Sequence, residues 1–111
     1  MTDRKPIVFA CAGCSFAAKL SWELAKELDR RGIAEMSCLA GVGARKKPFL
    51  NKLRDREVWV IDGCPIECGL GIFDLIDTPV DRHIRLADLG FRKNTEAEGD
   101  VNMDALINRV V

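Results

Sequence analysis

Five cysteines fall into three clusters, Cys11-x2-Cys14, a lone Cys38, and Cys64-Pro65-x2-Cys68. Each cluster stands at or just after a short apolar run that reads as a β-strand. A single cysteine is most often a small buried hydrophobe, whereas several thiols delivered to one place suit a metal or redox site. A C-x2-C turn lets two thiolates approach one ion with bonds of about 2.3 Å. Cys64 and Cys68, at a four-residue helical spacing, would put a second pair of sulfurs on one face. The expectation is a four-thiolate site for a soft metal, zinc first, built from Cys11, Cys14, Cys64 and Cys68, with Cys38 as a fifth thiol nearby. The spacing differs from the compact knuckles of a zinc ribbon, where both pairs carry two-residue spacers on hairpins. That difference and the surplus thiol favour sensing, carrying or exchanging a metal or metalloid over a closed structural site.

Two other chemistries use the same residues. A C-x2-C after a strand and before a helix is the local geometry of thiol–disulfide exchange, with Cys14 as exposed nucleophile and Cys11 resolving. Cys14 and Cys64 each precede an expected helix, whose positive N-terminal field lowers a thiol's pKa. Against the thioredoxin-like reading, neither a mixed sheet nor a proline loop near the dithiol can be traced. Ligation by four cysteines would also serve a two-iron iron–sulfur cluster.

The elements that must position these thiols alternate. Residues 7–10 form a continuous apolar run typical of a buried parallel strand. Ser15 can cap a helix over 16–31, where Ala17, Leu20, Leu24 and Leu28 recur at helical spacing and Gly32 supplies the left-handed stop. A second strand is expected over 34–39, a loop over 41–44, and a short helix from Pro48 carrying Phe49, Leu50 and Leu53 inward. The third strand, 58–61, ends at Asp62-Gly63-Cys64. Pro65 reads as the opening of a helix running through Phe73 and Ile76, although Gly69 and Gly71 each weaken it by about 1 kcal/mol unless the backbone there approaches something closely. Residues 84–87 read as a fourth strand, 94–99 as a polar loop, and a last helix follows, capped by Asp100 or Asn102, with Met103, Leu106, Ile107 and Val110 on one face.

Strands alternating with helices predict an α/β fold in one domain over residues 1–111: three αβα layers around a four-stranded parallel sheet of order 2-1-3-4. In that order the carboxyl ends of strands 1 and 3 open a crevice at the switch point, where ligands bind in this architecture. Cys11 and Cys14 come from one lip and Cys64 and Cys68 from the other. Cys38 ends the strand on the far side of strand 1, about 4.8 Å away, and can lean in.

Composition narrows the partners. The 17 basic and 17 acidic residues balance to zero net charge, so no electrostatic search for nucleic acid or an anionic membrane is expected. No apolar run approaches membrane-spanning length, and the run at 7–10 is too short for a signal-peptide core. A cytoplasmic location is therefore expected, where thiols stay reduced and an odd number of cysteines need not pair. The implied partner is a metal ion; no protein partner is indicated. Gly41-Val42-Gly43 before Arg45-Lys46-Lys47 lacks the Walker spacing, and reads as a flexible turn with a solvated basic run. His83, the sole histidine, is expected at the start of strand 4, the opposite end of the sheet from the cysteines, in a surface role. Asp62 and Asp88, near carboxyl ends of strands, are expected to orient loops or support the ligands, or equally to cap a helix or loop amide. No Ser-His-Asp arrangement or carboxylate pair points to an enzymatic reaction.

The string Ile61-Asp62-Gly63-Cys64-Pro65-x2-Cys68 carries a resemblance, together with Glu35 through Gly43 upstream, Cys11-x2-Cys14-Ser15 before that, and Asp88-Leu89-Gly90 after it. Over nearly the whole chain it resembles the DGC domain family, whose name is the triplet found here at 62–64. The resemblance implies a small prokaryotic cytosolic zinc-binding protein, with Cys11, Cys14, Cys38, Cys64 and Cys68 on the family's cysteine positions. Phe16-Ala17-Ala18 is more apolar, and Arg45-Lys46-Lys47 more basic, than the family pattern leads one to expect.

Overall fold

A computed structural model describes residues 5–11, 15–63, 65–91 and 102–111. Four strands, β1 (Ile7–Ala10), β2 (Glu35–Met36), β3 (Val58–Asp62) and β4 (Arg82–Arg85), form one parallel sheet of order β2-β1-β3-β4, as expected. Ile7 pairs with Glu35 on one side and Val58 on the other, and Trp59 pairs with Arg82.

The core is split by the period-two alternation of the strands. Val8, Ala10, Trp59, Ile61 and Ile84 face α1 (Phe16–Arg30) and α5 (Met103–Val110), and meet Leu20, Leu24, Leu106 and Ile107. Ile7, Phe9, Val58 and Val60 point the other way, toward α2 (Leu39–Gly43), α3 (Lys47–Asn51) and α4 (Cys68–Leu75). There Phe9 and Phe73 meet with ring centroids 5.1 Å apart and planes tilted by 60°, a favourable edge-inclined arrangement. Burial on both faces is why β1 and β3 read as unbroken apolar runs.

The ends of α1 follow its sequence signals. Ser15 Oγ accepts from the Ala18 amide at 3.2 Å. At the other end Gly32 takes φ +73°, its N–H donates to Asp29 O at 3.0 Å, and Ile33 N–H donates to Leu28 O at 2.9 Å. This pair of bonds is the Schellman stop that only a residue tolerant of positive φ permits. Asn102, and not Asp100, caps α5: its Oδ1 accepts from the Ala105 amide at 3.1 Å. Asp100 and the expected 94–99 loop lie outside the described residues.

Four sequence expectations are corrected. The second strand is confined to Glu35–Met36 and does not extend over 34–39. The expected 41–44 loop is instead the short helix α2, because Cys38 Sγ accepts from the Gly41 amide at 3.3 Å and Val42 is buried as an apolar anchor. Gly41 is required there, since a Cβ would lie 2.4 Å from the Phe49 ring. The fourth strand runs over Arg82–Arg85, two residues earlier than expected, and Leu86–Leu89 turn into a 3-10 helix. Pro65 does not open α4, which begins at Cys68 after Glu67 has taken a left-handed conformation with φ 60° and ψ 49°. Among the described residues, no helix is long and apolar enough to cross a membrane.

Candidate metal and thiol site

At the carboxyl end of β3, Asp62 is only 1 % exposed. Its Oδ1 accepts from the Gly69 amide at 2.8 Å and its Oδ2 from the Leu70 amide at 3.1 Å. The carboxylate thus caps α4 from the neighbouring strand, taking the place of Glu67, whose side chain makes no capping bond. A negative group at these amides also meets the positive end of the helix dipole. Gly69 makes the contact possible, because a Cβ there would stand 2.8 Å from Asp62 Oδ1 and from Val60 Cγ1.

Gly63 turns the chain the other way. A Cβ on it would fall 2.4 Å from Ala17 O and 2.5 Å from Ala18 N, so the backbone at 63 is pressed onto the first turn of α1. From this position the Gly63 N–H donates to Cys11 Sγ at 3.2 Å. Cys11 itself continues β1, its N–H donating to Ile61 O at 3.2 Å. The fully buried Ser21 hydroxyl lies 3.6 Å from the same sulfur and shares its hydrogen between the carbonyl oxygens of Cys11 and Ala18. The first two residues of the Asp-Gly-Cys triplet therefore have separate structural roles. Asp62 holds the start of α4, and Gly63 holds the start of α1 and the Cys11 thiol.

His83 is where the sequence reading missed a residue. It does not sit alone at the far end of the sheet: its Nε2 is 2.7 Å from Asp62 Oδ2, and its side chain is 17 % exposed. The earlier start of β4 puts His83 opposite Val60, on the face that Val60 shares with Asp62 two residues on. The other ring nitrogen, Nδ1, faces Glu67, whose Oε1 is 3.8 Å away. Glu67 also pairs with Arg85 at 3.2 Å, and Arg85 with Asp88 at 3.5 Å. The turn before Cys68 is thus tied to β4 by charge. A strand placed two residues earlier in the sequence would have put His83 and Asp62 on one face.

Of the expected ligands, Cys11, Cys38 and Cys68 are described and are free thiols; Cys14 and Cys64 lie outside the described residues. Cys68 is exposed at the first position of α4. The left-handed Glu67 stands just before it, so α4 does not reach back over 65–67 toward Cys64. Cys38 is exposed beside β2 and caps α2. Cys11 and Cys38 line one groove of about 810 Å³, and Cys68 is not part of its wall. Among the described residues, no three His, Cys, Asp or Glu side chains stand together in a group fit to hold a metal ion.

Comparison with known proteins adds the family. Over 92 residues the chain is 39 % identical to the "Anaerobic and virulence modulator AnvM" of Pseudomonas aeruginosa, a match covering 82 % of this chain and 70 % of that protein. No solved structure matches it. The family model for the DGC domain matches residues 7–110, from the first residue of β1 to the last of α5. The Asp62-Gly63-Cys64 triplet, its first two residues anchored as described, lies within that span, and the chain belongs to the DGC domain family.

Proposed function

We propose that this protein is a cysteine-based metal-binding module, zinc being the first candidate, that senses, carries or exchanges its ion in the cytoplasm. Cys11, Cys14, Cys64 and Cys68 would hold the metal, with Cys38 as the additional thiol. The observation that supports this most is the 3.2 Å bond from the Gly63 amide to Cys11 Sγ. It holds Gly63, the residue before Cys64 in the sequence, against Cys11, as a thiol site built from two strands would require. Amide donors to sulfur at Cys11 and Cys38 are also the outer-sphere contacts a thiolate–metal centre uses. When bound, zinc would supply a redox-inert Lewis acid held by thiolates. The designation of the relative as a modulator supports a regulatory role over an enzymatic one.

Thiol–disulfide exchange through Cys11-x2-Cys14 is the second reading. It is favoured by the half-buried Cys11 facing an open groove. The deciding experiment is elemental analysis of protein purified anaerobically without affinity-column metal, with a thiol titration on the same sample. About one zinc per chain with most thiols shielded is expected. Metal-free protein with one unusually fast thiol would replace the metal reading with redox chemistry, and iron with visible colour would replace it with an iron–sulfur centre. Cys64→Ser with Cys68→Ser is expected to abolish metal binding, and Cys38→Ser to weaken it less. Complete loss from Cys38→Ser would show that the four ligands are a different set.

A further inference from the structure

We infer that the groove over the carboxyl ends of β1 and β2 is a binding site for a small aromatic carboxylate, a ligand distinct from any metal. Its volume of about 810 Å³ lies in the range of small-molecule pockets, which are mostly apolar with a few fixed polar groups. The walls are of that kind. Trp22 of α1, Met36 of β2, Phe49 of α3 and Ile72 of α4 supply flat and branched apolar surface from four different elements.

Two polar groups give the ligand its chemistry. Ser37 lines the groove, and its hydroxyl oxygen is buried with no hydrogen-bond partner among the described residues. A buried hydroxyl left unpaired is costly, so native structures seldom keep one without a reason. A change of side-chain rotamer that turned this hydroxyl into the groove would let a ligand oxygen accept from it and remove the deficit. Lys52 is the one charged residue in the lining among the described residues. Its ammonium is only loosely engaged, 3.7 Å from Glu35 Oε2 and 6.0 Å above the Phe49 ring. A hydroxyl donor, a single cation and aromatic walls together select an apolar body carrying one negative oxygen-bearing head. Cys11 and Cys38 also line the groove, but the groups that select the ligand, Ser37, Lys52 and the apolar walls, are not proposed metal ligands, so the proposal does not rest on the metal reading.

The test is titration of isotope-labelled, reduced protein with 2-naphthoate, followed by amide chemical shifts, beside the neutral isostere 2-naphthalenemethanol. Saturable shifts centred on 36–40, 49 and 52 are expected, with the carboxylate bound about tenfold more tightly than the alcohol. Ser37→Ala and Lys52→Gln are each expected to weaken naphthoate by about five- to tenfold. Ser37→Ala is expected to leave the unfolding midpoint unchanged or raised, because the hydroxyl it removes has no hydrogen-bond partner among the described residues. No saturable binding at millimolar naphthoate would overturn the inference. So would equal affinity for the alcohol, or unaltered binding in both variants. Metal loading is measured separately on the same samples, so failure here and failure of the metal site are distinguishable.

Discussion

Asp62 and Gly63 explain why a triplet and not a lone cysteine marks this fold. The Asp62 carboxylate accepts two helix amides and faces His83, and at 1 % exposure no water replaces a lost partner. Asp62→Asn keeps the shape but turns an NH2 group toward donors. A loss of about 2–3 kcal/mol in unfolding free energy is expected, read from the urea midpoint. His83→Gln removes only one of the three contacts and should cost about 1 kcal/mol. An equal cost for both would mean that His83 and not the α4 amides is the principal partner of Asp62. Gly63→Ala meets a different obstacle, since its Cβ would stand 2.4 Å from backbone at Ala17, which cannot rotate away as a side chain can. That substitution should cost about 2–3 kcal/mol and also displace the amide that bonds Cys11. The expected signature is lower stability together with altered alkylation kinetics at Cys11.

At the level of elements, legibility depended on how locally each boundary is encoded. The α1 helix, the sheet order and the α5 cap were readable because Ser15, Gly32 and Asn102 act on amides and carbonyls within a few residues. The start of α4 was not, because its cap comes from Asp62 across a turn and Pro65 offered a false first-turn signal. His83 was misplaced for a related reason: the apolar run at 84–87 suggested a strand there, whereas Leu86 is buried from a 3-10 turn and the strand takes the more polar Arg82–Arg85. Glu67 tests this account of the α4 boundary. In the left-handed region at φ 60° a glycine is relieved of strain, so Glu67→Gly should be neutral to about 1 kcal/mol stabilising after the loss of its partly exposed pair with Arg85. Glu67→Val should cost about 1–2 kcal/mol, because a β-branched residue strongly disfavours that conformation. Were 65–67 helical, the glycine variant would instead lose about 1 kcal/mol, so the sign of the shift in a thermal melt decides.

Across the whole molecule the two ends of the sheet are held by different means. The carboxyl end carries the Cys11 and Cys38 thiols and is organised by Asp62. The amino end is organised by Arg56, whose side chain is 2 % exposed and reaches Glu35 Oε1 at 2.9 Å and the Lys5 carbonyl at 2.8 Å. One guanidinium thereby joins the residues entering β1, β2 and β3. The Arg56 hydrogen bond is the main cause that lowers the Glu35 carboxyl below the ordinary carboxylate range, with the charges of Arg56, Lys52 and Lys5 adding to it against a partial desolvation. A carboxyl whose folded pKa is depressed stabilises the protein fully above its unfolded value, and that stabilisation is lost as pH falls through the folded value. Acid should therefore loosen the amino end of the sheet, opposite the thiols. Because Glu35 is about one-third exposed, 35 % by side chain, solvent screening limits the effect to about 1–2 kcal/mol. Glu27 contributes in the same direction: hydrogen bonds from Arg30 and then Arg31 hold its carboxyl down to about 2, so wild-type acid unfolding is a sum. Glu35→Gln isolates its share. At neutral pH this variant should be less stable than wild type because Arg56 keeps its buried charge without a carboxylate, and the gap should close as pH falls through the Glu35 titration. A gap that stays constant down to the acid transition would show that the Glu35 charge does not stabilise the amino end.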